Sequence, residues 1–173
     1  MDGTRQAWTT GRTPRPASVE VVEARKVTRM KIADVLLQKS RIVHSVRPWL
    51  TVGDVVDQLN RFAIGAVLVC DEQGGLRGIV SERDIVRGLG RHGVALLTQP
   101  LTEVMTQHVE TTRPEESVAR AMTRMTTGRY RHLPVVVDGR IVGLVSIGDL
   151  VKNRLTELEL ETGVLRDRAI AHL

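Results

Sequence analysis

Residues 78–86 read GIVSERDIV, and residues 143–151 read GLVSIGDLV. Gly78, Val80, Ser81, Asp84 and Val86 fall on Gly143, Val145, Ser146, Asp149 and Val151. Upstream the likeness continues at a constant shift of 66, with VHSVRPWLTV (43–52) lying on VETTRPEESV (109–118). The same shift sets Leu59 on Met125, Ile64 on Tyr130 and Val69 on Val135. Two units of about 60 residues in the same order define an internal repeat.

Each unit carries the same grammar. A short helix (Ile32–Leu37; Leu101–Met105) precedes a short strand (Ile42–Val46; Val109–Thr112) that ends at Arg-Pro. An amphipathic helix follows, apolar at Val52, Val55, Val56, Leu59 and Phe62, or at Val118, Ala121, Met122 and Met125. A buried apolar strand (AVLVC; LPVVV), a turn at Gly74-Gly75 or Asp138-Gly139, and a second apolar strand complete the sheet portion. A closing helix begins at Asp84 or Asp149. One β-α-β-β-α unit leaves a sheet face open. The reading is therefore an α+β fold in which two units pack with pseudo-two-fold symmetry. The domain reading is an extension over 1–29, mobile or a short helix, a first repeat over 30–92, a second over 93–158, and a helical tail over 159–173, interrupted at Gly163.

Composition narrows the function. The 173 residues are 42% apolar and 26% charged, as in a globular chain. No run is long and apolar enough for a bilayer, and no secretory h-region is visible. Cys70 is the sole cysteine, which argues against disulfides and fits a cytoplasmic home. The net charge of +5 is concentrated at the start. Residues 1–31 hold seven Lys/Arg against three Asp/Glu, leaving 18 against 17 for the rest. The core therefore lacks the basic footprint of a nucleic-acid domain, and aromatic content of 2% argues against base stacking. Nucleic-acid binding survives only as an alternative through the basic leader. The five histidines lack metal-ligand spacing, and no nucleophile–base pair is evident, so neither a metal site nor an enzyme is expected.

The Ser-x-x-Asp step joining strand to helix has two readings. As structure it is nearly a capping box, with Asp in place of Glu. As chemistry, a helix N-terminus attracts anions, Ser81 and Ser146 add hydroxyls, and a carboxylate one turn along can accept from a ribose diol. Ser plus Asp at this spacing suits a sugar phosphate.

These motifs, with the IGAVLV and YRHLPVV strands and Val104-Met105-Thr106, resemble the tandem cystathionine-beta-synthase (CBS) domain, or Bateman module, over roughly residues 30–165. SERDIVR is similar to the small stand-alone bacterial type. The resemblance implies two clefts that bind an adenosine ligand: AMP, ADP, ATP, NAD(H) or S-adenosylmethionine. It also implies a regulatory sensor without catalysis, acting as a homodimer on an unidentified effector protein. In one cleft it assigns Asp149 to the ribose and Ser146 to the phosphate. Arg131 and His132 serve as basic ligands there, with Ile42, Ile64 and Gly65 beside the adenine. In the other it assigns Asp84 and Ser81 to those roles, with Thr106, His108 and Tyr130 on the base side. There Gly65 and Ala66 replace the basic pair, and Arg83 compensates. The Asp149 cleft is accordingly expected to fill first. Lys39, in a stretch with about three extra residues, could enter a cleft. Val56, Leu59, Leu89, Met122 and Met125 are candidates for the dimer face. The competing functional reading is a nucleotide-independent interaction module.

Overall fold

The computed structural model describes residues 30–39 and 42–170, with side chains given to residue 159. The expectations for residues 1–29 (a mobile leader, a short helix, a nucleic-acid contact) lie outside the described residues.

Helix α1 (Ile32–Leu37) leads to strand β1 (Ser45–Val46), helix α2 (Val52–Phe62), strands β2 (Ala66–Cys70) and β3 (Leu76–Ser81), and helix α3 (Glu82–His92). Two 3-10 turns (Gly93–Thr98 and Leu101–Glu103) precede helix α4 (Val118–Gly128), strands β4 (His132–Val137) and β5 (Arg140–Ser146), and helix α5 (Ile147–Ile170). The first sheet runs β1-β2-β3, parallel then antiparallel. The second is the antiparallel β4-β5 pair. The strand expected at Val109–Thr112 is reduced to a parallel bridge of Thr112 with Val135. The helix expected at Leu101–Met105 is a single 3-10 turn. Gly163 does not interrupt α5, which runs through it.

Local chemistry explains the element ends. Thr51 caps α2 by accepting from the Asp54 N–H at 3.2 Å, and Asp54 Oδ2 accepts in return from the Thr51 N–H at 2.8 Å. Ser117 caps α4 in the same place, accepting from the Arg120 N–H at 3.3 Å. The β4-β5 turn uses Asp138 and Gly139 at φ 49° and 75°, the paired positive values of a type I′ hairpin.

Two cores follow the repeat. Val52, Val55, Val67, Val69, Val80 and Ile85 form one. Their counterparts Val118, Ala121, Leu133, Val135, Val145 and Leu150 form the other. The segments leading into each repeat are exchanged. Ile32 and Val35 of α1 are buried in the second core, whereas Leu101 and Val104 are buried in the first. Backbone bonds tie the exchange: the Ile32 N–H donates to Glu116 O and the Leu101 N–H to Leu50 O, both at 2.9 Å. Each fully buried Val or Leu contributes about 1.5–3 kcal/mol, so the exchange binds the halves into one body. Leu59 and Met125, expected on a dimer face, are instead core residues at 5% and 1% exposure. Period alone cannot separate a core stripe from an interface stripe on an amphipathic helix.

Candidate functional site

Both Ser-x-x-Asp steps form the cap that their spacing suggests. At the start of α3, Asp84 Oδ2 accepts from the Ser81 N–H at 2.9 Å and the Ser81 hydroxyl at 2.5 Å. At the start of α5, Asp149 Oδ2 accepts from the Ser146 N–H and hydroxyl, both at 2.8 Å. What surrounds the two caps differs.

The Asp84 cap opens onto a cavity of about 360 Å³. It is lined by Ser81, Glu82, Arg83, Asp84 and Arg87 of the β3-α3 junction, by Ile79 and Gly65, and by Thr106, His108, Val109 and Glu110. The far wall runs from Gly128 through Arg129, Tyr130, Arg131 and His132. A Cβ at Gly128 would lie 1.9 Å from Tyr130 Cε1, so any larger residue there would displace the Tyr130 ring from this wall. Four arginines, Arg83, Arg87, Arg129 and Arg131, line this space beside the acidic Glu82, Asp84 and Glu110, and none of the four forms an ion pair among the described residues. Guanidinium groups without a carboxylate partner, beside a helix N-terminus, suit a phosphate-bearing ligand.

Arg131 and His132 are thus walls of the Asp84 cavity, where alignment of the two repeats finds no basic pair. The physical reason is their position at the entry to β4, where His132 pairs in register with Ser146 yet borders the other half. A Cβ on Gly65 would lie 3.7 Å from His132 Cε1 and Nε2 and 3.4 Å from Glu82 Oε2. Burial pushes the His132 imidazole below its ordinary pKa, offset only in part by the Asp149 carboxylate.

The Asp149 cap carries a cation. Lys39 Nζ donates to Asp149 Oδ2 at 2.8 Å and to the Leu144 carbonyl at 2.9 Å. Burial pushes the Asp149 carboxyl up, but the Lys39 ammonium and the Ser146 donors outweigh it and hold the carboxyl below its usual range.

Of the sequence candidates, Gly65, Ser81, Arg83, Asp84, Thr106, His108, Tyr130, Arg131 and His132 come together. Ser146 and Asp149 form the other cap and do not line this cavity, although Ser146 pairs with His132 across the β4-β5 ladder. Ile64 packs on the first core, and Ile42 is 70% exposed. Sequence reasoning missed Glu82, Arg87 and Arg129. Arg87 was open to detection, one turn beyond Arg83, whereas Arg129 reaches the cavity through the left-handed end of α4, at φ 57°. A larger groove of about 1030 Å³ lies elsewhere, around Glu116. There Glu116 is engaged by Thr112 at 2.6 Å and Arg124 at 2.9 Å, and no Ser-x-x-Asp helix start borders the groove. Among the described residues there is no His/Cys/Asp/Glu group able to hold a metal, and no helix long and apolar enough to cross a membrane.

Residues 33–91 and 101–155 match the family model described as CBS domain. A mitochondrial CBS domain-containing protein of Arabidopsis thaliana is 36% identical over 129 residues, or 70% of this chain; the chain spans 63% of that relative's length. A crystal structure of a CBS-domain containing protein from Agrobacterium tumefaciens is similar at 38% identity and TM-score 0.71, covering 72% of this chain and 99% of its own. A CBS domain protein from Pyrobaculum aerophilum, complexed with AMP, is similar at 26% identity and TM-score 0.66, covering 77% of this chain and 99% of its own.

Proposed function

We propose that this chain, which belongs to the CBS domain family, is a regulatory, non-catalytic module that binds an adenine nucleotide in the Asp84 cleft. The single observation that carries the reading is the cavity that joins a helix-start carboxylate to four lining arginines free of ion pairs among the described residues. Asp84 takes the ribose diol. Arg83, Arg131 and their neighbours take phosphate through charge-assisted bonds, the strong class. Tyr130 and Thr106 flank the base. AMP, ADP or ATP fits this charge best; NAD(H) adds a second nucleoside, and S-adenosylmethionine has no phosphate for the arginines. The relative's complex with AMP supports the class of ligand.

Output passes to an effector protein, because occupancy can shift a conformational equilibrium only by the ligand's differential affinity. The module works as a cytoplasmic homodimer. Val86 of α3 and Val151, Leu155 and Leu158 of α5, at 67%, 40%, 55% and 40% exposure, are the apolar surface that a second copy would cover.

Thermal unfolding with AMP, ATP, NADH and S-adenosylmethionine tests the reading. A ligand at about 100 times its Kd stabilises the folded state by about 2.7 kcal/mol. The phosphate-bearing ligands raise the midpoint, and Asp84→Ala removes the rise. No shift with any of the four would leave the nucleotide-independent interaction module as the better account.

A further inference from the structure

We propose that Lys39 is a built-in occupant of the Asp149 half-site, so that the module takes one nucleotide per chain, in the Asp84 cleft. The inference rests on the nucleotide-binding reading above and adds which half is open and what closes the other.

The repeat locates the difference. Val35-Leu36-Leu37-Gln38 matches Val104-Met105-Thr106-Gln107, and the match holds in space. A Cβ on Gly78 would meet Met105 at 2.4 Å, and one on the equivalent Gly143 would meet Leu36 at 2.6 Å. Lys39-Ser40-Arg41 are then the surplus residues of the first repeat.

Beyond this point the halves part. In the Asp84 half, Ile79 exchanges backbone bonds with Thr106: its carbonyl accepts from the Thr106 N–H at 2.9 Å, and its N–H donates to Thr106 O at 3.0 Å. The counterpart of Ile79 is Leu144. Its carbonyl accepts from the Lys39 ammonium, which also reaches Asp149 Oδ2. One cation thus spans the carboxylate and the strand carbonyl that frame this half-site. Asp149 Oδ2 receives three donors, counting the Ser146 N–H and hydroxyl. Asp84 has no ion-pair partner among the described residues.

The side chains of the pair are only 33% and 28% exposed, so water screens it incompletely. A ribose hydroxyl approaching Asp149 must replace an ammonium, trading a charge-assisted bond for a weaker one. Apparent affinity at this half is then reduced by the fraction of chains in which Lys39 has withdrawn.

Calorimetric titration with AMP of the wild type, Lys39→Met and Lys39→Met/Asp149→Ala tests this. Met keeps the stem and removes the ammonium. The expected stoichiometry is one AMP per chain in the wild type, two in Lys39→Met, and one again in the double variant. Two per chain in the wild type, or one in a folded Lys39→Met, would overturn the inference and leave the Asp84 reading intact; loss of affinity in Lys39→Met would overturn both, since Lys39 would then hold the nucleotide at the Asp149 half. No binding by the wild type with one AMP bound by Lys39→Met would instead overturn the Asp84 reading and leave Lys39 as the occupant. No binding by either overturns both. A carbon-detected NMR titration needs no ligand: the Asp149 carboxyl should titrate at higher pH in Lys39→Met, and an unmoved titration contradicts the contact.

Discussion

The two helix starts, at Asp84 and at Asp149, are nearly identical as caps and differ in what surrounds them. Each carboxylate accepts from the N–H and hydroxyl of the serine three residues earlier. At Asp84 the cap faces a cavity walled by Arg83, Arg129 and Arg131. At Asp149 the position of Arg83 is Gly148, and Lys39 sits on the carboxylate. What duplication preserved is therefore the local bond set that starts a helix, while the groups facing outward diverged. A motif shared by two repeats reports the fold first, and the ligand only through its neighbours.

The comparison can be broken at the motif glycines. Ala at Gly78 would place its Cβ 2.4 Å from Met105 and 2.9 Å from the backbone oxygen of Thr106, which cannot yield without disturbing the Ile79–Thr106 bonds. Ala at Gly143 would have as its three nearest atoms those of the Leu36 side chain, from 2.6 Å. Gly78→Ala should cost about 2–3 kcal/mol, the upper part of the range for overpacking. Gly143→Ala should cost about 1 kcal/mol, because a flexible side chain can move. Denaturant midpoints check both, and equal losses would mean that the two halves pack alike at this point.

Arg131 sharpens the comparison, since the family resemblance assigns it to the Asp149 cleft while it lines the Asp84 cavity. Arg131→Ala should weaken AMP binding about tenfold, the loss of one charge-assisted bond of about 1.4 kcal/mol. The loss should persist in an Asp149→Ala background. Absence of the effect there would return Arg131 to the Asp149 half.

His132 supplies a smaller test. Its counterpart in the first repeat is Ala66, so only one side of the junction titrates here. The folded imidazole has a lowered pKa, and the groups acting on it are Asp149, Lys39, Glu82 and Arg131. Below the ordinary histidine value the unfolded chain therefore binds more protons than the folded one. Its contribution to stability is present above a pH of about 6.5 and is lost as pH falls from there toward the lowered value. Urea midpoints should drop more steeply between about pH 6.5 and 5 for the wild type than for His132→Gln. Parallel curves would mean that His132 does not titrate in that window.

The fold was legible because each repeat states it independently. The Ser-x-x-Asp caps, the Arg-Pro strand ends and the apolar stripes of α2 and α4 are local bonds and periods. The exchanged leading segments were not, because Ile32–Val35 and Leu101–Val104 have interchangeable apolar character, and only tertiary contact decides which core receives which. The same limit hid that Arg131 and His132, assigned by the family resemblance to the Asp149 cleft, also line the Asp84 cavity. Alignment of the repeats finds equivalent positions, whereas a cleft draws its walls from non-equivalent ones. Lys39 stood out as a residue in a surplus stretch, but nothing local tells how far an ammonium on a four-carbon stem will reach.

Isothermal titration of AMP into the wild type, Asp84→Ala and Asp149→Ala tests the inequality of the two half-sites most directly. Removing up to two bonds to a charged acceptor, offset partly by water, corresponds to roughly 2–4 kcal/mol, or about 30- to 1000-fold in Kd. The account predicts that loss for Asp84→Ala and an affinity within about threefold of wild type for Asp149→Ala, with circular dichroism unchanged in both. Loss of binding in Asp149→Ala alongside wild-type affinity in Asp84→Ala would contradict it.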